Sequence, residues 1–194
     1  MALKAVVFDV GETLFDETGI WERAADEAGV PRFTLMGVLG GLAARGEPHD
    51  RVWEVLGVGR APSMFRADEL YPDALPCLAE LRSRGLLVGA VGNTSEVVEA
   101  MLREHVDIVG SSARWGVEKP APGFFERVVE ESGVEAEEIA YVGDRVDNDV
   151  EPALAAGMAA VHLRRGPWGH LHEAPPGAIR VRSLAELPEV LERV

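Results

Sequence analysis

The chain has 194 residues, 47% of them hydrophobic and 27% charged, which is long enough for one well-buried α/β domain with a small appendage and ordinary for a globular protein rather than a disordered or membrane one. Its formal net charge of -14 argues against nucleic acid or anionic lipid as a partner, because phosphate contacts need clustered Lys and Arg, and it means that an anionic substrate would need a divalent cation or a local basic patch to be held. Cys77 is the only cysteine, which excludes an internal disulfide and a multi-cysteine metal site; with no signal-peptide layout and no apolar run near the roughly 20 residues that span a bilayer, a reducing, cytoplasmic location and no membrane contact are expected.

The first apolar run, Ala5–Phe8, reads as a buried strand ending at Asp9. From Asp16 to Leu70 the chain shows helix-like pieces around Ile20–Ala28, Phe33–Ala44 and Asp50–Leu56 and no strand, although Gly37, Gly40 and Gly41 weaken the middle piece. Helices inserted directly after the first strand would lie over its carboxyl end, as a small cap. Trp21, Phe33, Trp53 and Phe65 within it either form the core of that piece or shape a pocket.

The spacing of Leu75, Leu78 and Leu81 predicts a helix over Asp73–Arg84 that stops at Gly85, followed by a strand at Leu86–Val91 before Gly92. Phe124, Phe125, Val128 and Val129 predict a second helix over Ala121–Ser132, ending at Gly133. Strands follow at Ile139–Val142, before Gly143 and Asp144, and at Ala159–Leu163, before Arg164. Short β-branched runs alternating with helices give an α/β class with a parallel sheet, whose ligand site lies beyond the carboxyl ends of the strands. Arg164 to His170 either edges that site or forms a surface loop, and the five histidines show no metal-ligand spacing.

Three groups could carry chemistry. Asp9, at a strand end, is placed to attack phosphorus and split one hard displacement into two easier ones. Lys119, before Pro120, either holds the charge of a phosphoryl group or is simply solvated at a helix start. Asp144, Asp147 and Asp149 offer hard oxygen ligands suited to Mg²⁺, or cap a helix N-terminus, or do both. If Asp9 and Asp144 end neighbouring strands, two carboxylates and one main-chain carbonyl make half of an octahedral Mg²⁺ shell.

Taken in order, Asp9–Leu14, Val91–Thr94, Lys119-Pro120 and Gly143–Asp149 continued by Ala153–Met158 resemble the four motifs of the haloacid dehalogenase superfamily. The resemblance implies a Rossmann-like three-layer core over 1–15 and 71–194, a C1-type helical cap over 16–70, and Mg²⁺. It implies Asp9 as nucleophile and metal ligand, the Gly11 carbonyl as a second ligand, Asp144 as a third, and Asp149 as a further or outer acid. Thr13 falls on a phosphate-loop position and Lys119 on the stabilising cation; Asp147 receives no role.

Two positions depart from the family pattern. Gly11 stands where most phosphatases of the superfamily carry an aspartate that protonates the leaving group, and Gly92 where a phosphate-binding Ser or Thr is usual, with Asn93 and Thr94 as nearby substitutes. The implied activity is hydrolysis of a small phosphorylated metabolite through an aspartyl-phosphate on Asp9. Without the acid, low activity or a preference for good leaving groups is expected, and the intermediate should persist. Glu12 is a poor substitute, because adjacent side chains diverge in an extended segment. The alternative is a noncatalytic protein of this fold that binds Mg²⁺, a phosphate ligand or a protein. Dehalogenation fits less well, since Gly11 supplies no aromatic packing. Phosphonate cleavage lacks a cap lysine, since residues 16–70 contain none.

Overall fold

The computed structural model describes residues 2–62 and 64–193. Six parallel strands form one sheet in the order β3-β2-β1-β4-β5-β6. They are β1 (Ala5–Phe8), β2 (Leu87–Gly92), β3 (Ile108–Ser111), β4 (Ile139–Gly143), β5 (Ala159–Leu163) and β6 (Ile179–Val181). β1 is central, paired with β2 on one side and β4 on the other, with Phe8 beside both Ala90 and Val142. Being covered on both faces, it can be apolar throughout, and all four of its residues are buried.

Alternation along β1 divides the core into two layers. Val6 and Phe8 join Leu78 and Leu81 of a helix at Ala74–Ser83, while Ala5 and Val7 face Phe124 and Phe125 of a helix at Pro122–Ser132. The latter helix stops where expected: Gly133 adopts a φ of 66°, a left-handed conformation that favours glycine, and its N–H donates to the Val129 carbonyl. The sequence reading omits β3 and β6, which have only four and three residues and show no sustained apolar run.

Between β1 and the helix at Ala74–Ser83 the only regular elements among the described residues are helical: α1 (Thr18–Glu27), α2 (Arg32–Ala44), α3 (Arg51–Leu56) and one short 3₁₀ turn. α2 runs through Gly37, Gly40 and Gly41 despite their low helix propensity, because Leu35, Leu39 and Leu42 are buried on one face. The insertion has its own apolar cluster, which includes Trp53 and also takes in Trp168 from a short helix at Gly166–Leu171 in the sheet-bearing part. Phe33 belongs neither to that cluster nor to a pocket wall, being 90% exposed. No helix among the described residues is long and apolar enough to cross a membrane.

Candidate active site

The carboxyl ends of β1, β2 and β4 bring the sequence candidates together. Asp9 is buried just beyond β1, and its N–H donates to the Val142 carbonyl at 2.8 Å, which fixes it against β4. The chain then turns tightly: Leu14 and Phe15 both donate to the Val10 carbonyl, and Glu12 is held at a φ of 52°, uncommon for a residue with a side chain. This turn brings the Thr13 hydroxyl to 3.4 Å from Asp9 Oδ2.

Lys119 is not solvated. Only 3% exposed, its ammonium group donates to Asp9 Oδ1 and, at 2.6 Å, to Asp149 Oδ1. Burial alone would make the ammonium easier to deprotonate; the Asp149 and Asp9 carboxylates override this and hold its pKa well above the ordinary lysine value. Asn93 clamps the backbone of this residue from both sides, donating from Nδ2 to the Lys119 carbonyl at 2.9 Å and accepting from the Lys119 N–H at 2.7 Å. The Asn93 amide is therefore engaged in positioning Lys119, and both Asn93 and Thr94 line the cavity over the site.

Asp144 and Asp149 follow β4, the second within a π-helical turn at Val146–Val150. Asp149 has both oxygens occupied, Oδ1 by Lys119 and Oδ2 by the Arg145 N–H at 3.0 Å. Asp144 is as buried, at 3% exposed, yet its carboxylate receives no donor among the described residues. Burial first, and then the charges of Asp149 and Asp9, push the Asp144 carboxyl well above the usual carboxylate range. Asp149 is raised to about 6 by burial, with Lys119 pulling it back. Asp147 sits apart, paired with Arg145 at 2.6 Å on the surface.

One oxygen from each of Asp9, Asp144 and Asp149 lies within 4.8 Å of the others, with a single buried ammonium among them. Hard oxygen donors with a surplus of negative charge fit a hard divalent cation such as Mg²⁺. Asp144, and Asp9 with only the Thr13 hydroxyl at 3.4 Å on its Oδ2, are suited to direct ligation, and Asp149, both of whose oxygens are held at 3.0 Å or less, to a place behind them.

The glycines of this region are close-approach positions. A Cβ on Gly92 would lie 3.2 Å from Asp9 Oδ1, so the space for a hydroxyl-bearing side chain there is narrow. A Cβ on Gly143 would meet Asp149 Cγ at 2.4 Å and Cβ at 2.5 Å. Gly143→Ala is therefore expected to push Asp149 away from Lys119 and to lower stability by about 1–3 kcal/mol, read as a fall in Tm. An unchanged Tm would mean that Asp149 moves aside freely.

A cavity of about 480 Å³ opens over these groups, with Asp9, Gly11, Lys119 and Asp144 on its floor and Glu17, Trp21 and His49 from the insertion on its wall. That volume suits a small metabolite. Sequence reasoning missed Glu17 and His49, which carry no motif or spacing. Burial and the Glu12 carboxylate push the Glu17 carboxyl up to about 7, against a hydrogen bond from the Trp21 indole. Arg165, left open between a site edge and a loop, buttresses the turn after β1, donating to the Thr13 carbonyl at 3.0 Å and to Asp73 at 2.5 Å.

Comparison with known proteins adds three findings. Residues 3–157 match the family model of the haloacid dehalogenase-like hydrolases. Glyceraldehyde 3-phosphate phosphatase of Methanopyrus kandleri is 31% identical over 200 residues, covering 86% of each chain. Among solved structures, a HAD phosphatase from Thermococcus onnurineus superposes with a TM-score of 0.66 at 23% identity over 97% of this chain and 98% of that one. The L-2-haloacid dehalogenase of Xanthobacter autotrophicus gives 0.69 at 21% identity over 98% of both chains. The fold is thus shared by proteins named for two different reactions.

Proposed function

The chain belongs to the haloacid dehalogenase-like hydrolase family, and from that premise we propose a Mg²⁺-dependent phosphatase of small phosphorylated metabolites that works through an aspartyl-phosphate on Asp9. The observation that carries this reading is the buried Asp9–Lys119–Asp149 bridge beside an Asp144 carboxylate with no donor among the described residues. A dehalogenase attacks carbon and gains nothing from a concentration of acids built to hold a cation; a phosphatase must hold an anion in a chain of net charge -14.

In this reading an Asp9 oxygen attacks phosphorus, and Lys119 offsets the charge shared between nucleophile and phosphoryl oxygens. The Thr94 hydroxyl orients the phosphate, and the buried Thr13, expected from the sequence to do the same, acts through the hydrogen bond its hydroxyl donates to Asp9. Asn93 contributes by fixing the Lys119 backbone. Asp9, Asp144 and the Gly11 carbonyl would hold Mg²⁺, with Asp149 behind them. Bound there, Mg²⁺ would supply the positive charge that lets an anionic ester approach anionic carboxylates. Residues 16–70 act as a cap over a core of 1–15 and 71–194, and the cavity between them sets the substrate size. The name of the Methanopyrus relative makes three-carbon phosphates the first substrates to try.

Phosphate release from a panel of small phosphate esters, measured with Mg²⁺ and again with EDTA, tests the reading. Release that EDTA abolishes supports it. No release from any ester in Mg²⁺, with ligand binding retained, favours the noncatalytic alternative.

A further inference from the structure

Position 11 has no side chain, yet the space that a side chain would enter is full. A Cβ on Gly11 would meet Oε1 of Glu17 at 2.1 Å and its Cδ at 3.1 Å. The backbone fixes the direction of a Cβ, so an aspartate at position 11 would have to begin where the Glu17 carboxyl group now ends. Glu17 reaches that point from the turn entering α1 and is held there. Its N–H donates to Glu12 Oε1 at 2.9 Å, and the Trp21 indole N–H donates to its Oε2 at 3.0 Å. Glu12 is itself fixed by the Tyr71 hydroxyl, which donates to its Oε2 at 2.8 Å. Oε1 of Glu17, the oxygen against Gly11, receives no donor among the described residues, and Glu17 lines the cavity that holds Asp9 and Lys119.

We propose that Glu17 carries out the proton transfers that Gly11 cannot, an assignment that rests on the phosphatase reading above. As an Asp9 oxygen bonds to phosphorus, the bond from phosphorus to the leaving oxygen breaks. That oxygen takes the Glu17 proton and departs as the free alcohol. The Glu17 carboxylate then takes a proton from water as the water oxygen bonds to phosphorus. The Asp9–phosphorus bond breaks, phosphate leaves, and Asp9 is again a carboxylate and Glu17 again a neutral acid. Glu12, with both oxygens engaged, is a positioning residue for Glu17 and donates nothing itself. The preference for good leaving groups expected from Gly11 alone then loses its premise, and alkyl phosphates become substrates.

The test compares an alkyl phosphate, glycerol 3-phosphate, with para-nitrophenyl phosphate in wild type, Glu17→Gln and Asp9→Asn, all with Mg²⁺. With losses read as kcat/KM, which reports phosphoryl transfer to Asp9 and not the hydrolysis step that both esters share, Glu17→Gln is expected to lose about 10²–10⁴-fold on the alkyl ester and far less on the aryl ester, whose leaving group departs without a proton. Gly11→Asp in the wild-type background forces two carboxyl groups into one space and will lower alkyl turnover; adding Glu17→Ala will restore it. Equal losses of Glu17→Gln on both esters, no loss on either, or a gain in Gly11→Asp with Glu17 in place would overturn the assignment and leave the phosphatase reading standing. A wild type no faster than Asp9→Asn on both esters removes the reading and the assignment together.

Discussion

Asp9→Asn will keep the fold and lose phosphatase turnover by about 10⁴–10⁶-fold, the scale seen when the nucleophile of a covalent mechanism is removed. The replacement has the same shape, and Lys119 keeps its second partner, Asp149, at 2.6 Å. What disappears is the charged oxygen proposed to bond to phosphorus. Beryllium fluoride with Mg²⁺, which imitates the phosphorylated aspartate, separates chemistry from binding. At about 100 times its Kd such a ligand adds about 2.7 kcal/mol to the folded state. In a chain of this size that amounts to about 5–10 °C in Tm. The gain should appear in wild type and be absent in Asp9→Asn. Phosphate release by Asp9→Asn at close to the wild-type rate would show that the reaction bypasses this carboxylate.

Lys119→Met will damage folding as well as activity. Its ammonium bonds to two carboxylates that are themselves buried and, among the described residues, have no other cation, and the side chain is 1% exposed. Methionine fills similar volume but leaves Asp9 and Asp149 as buried charges without a partner. Breaking a buried pair in this way costs about 3–5 kcal/mol. Combining Lys119→Met with Asp149→Asn removes one of the orphaned charges, so the double variant should be more stable than the single one, and a thermodynamic cycle will report the coupling. If Lys119→Met melts at the wild-type temperature without Mg²⁺, the carboxylates take up protons at little cost and the lysine serves the reaction alone.

The frame of the molecule was legible because its signals are local. β1 and β4 are apolar runs closed by acids, and two of the helices that pack on them show regular apolar spacing and end at glycines. Asp9, Lys119, Asp144 and Asp149 could be named from ordered motifs and were brought together, Asp9 to Asp149 across 140 residues of chain, by the parallel pairing of β1 with β4 and the approach of the segment before the helix at Pro122–Ser132. Two kinds of feature were not legible. β3 and β6 each carry only two apolar side chains beside Gly, Ser or Arg, so no apolar run rises above their surroundings. Glu17 has no motif at all: its meaning comes from where the turn after Asp9 folds it, against a glycine that in the sequence reads as a missing part. Likewise nothing in the spacing of Asn93 distinguishes an amide that contacts phosphate from one that clamps Lys119.

Trp168 stands on the sheet-bearing part of the chain but packs in the cluster of the helical insertion, edge-on to His49 and beneath the Arg145 guanidinium at 5.1 Å. Trp21 and Trp53, 6.4 Å apart, border the adjoining space. Of the four tryptophans only Trp115 lies elsewhere, against Phe124. Three of the four indoles thus cluster at one seam, where the Glu17 carboxyl group, a guanidinium and an imidazole all lie beside indole rings. A change in the spacing of the two parts, or the arrival of an anion between them, is converted into an optical signal by the native chain, with no dye attached.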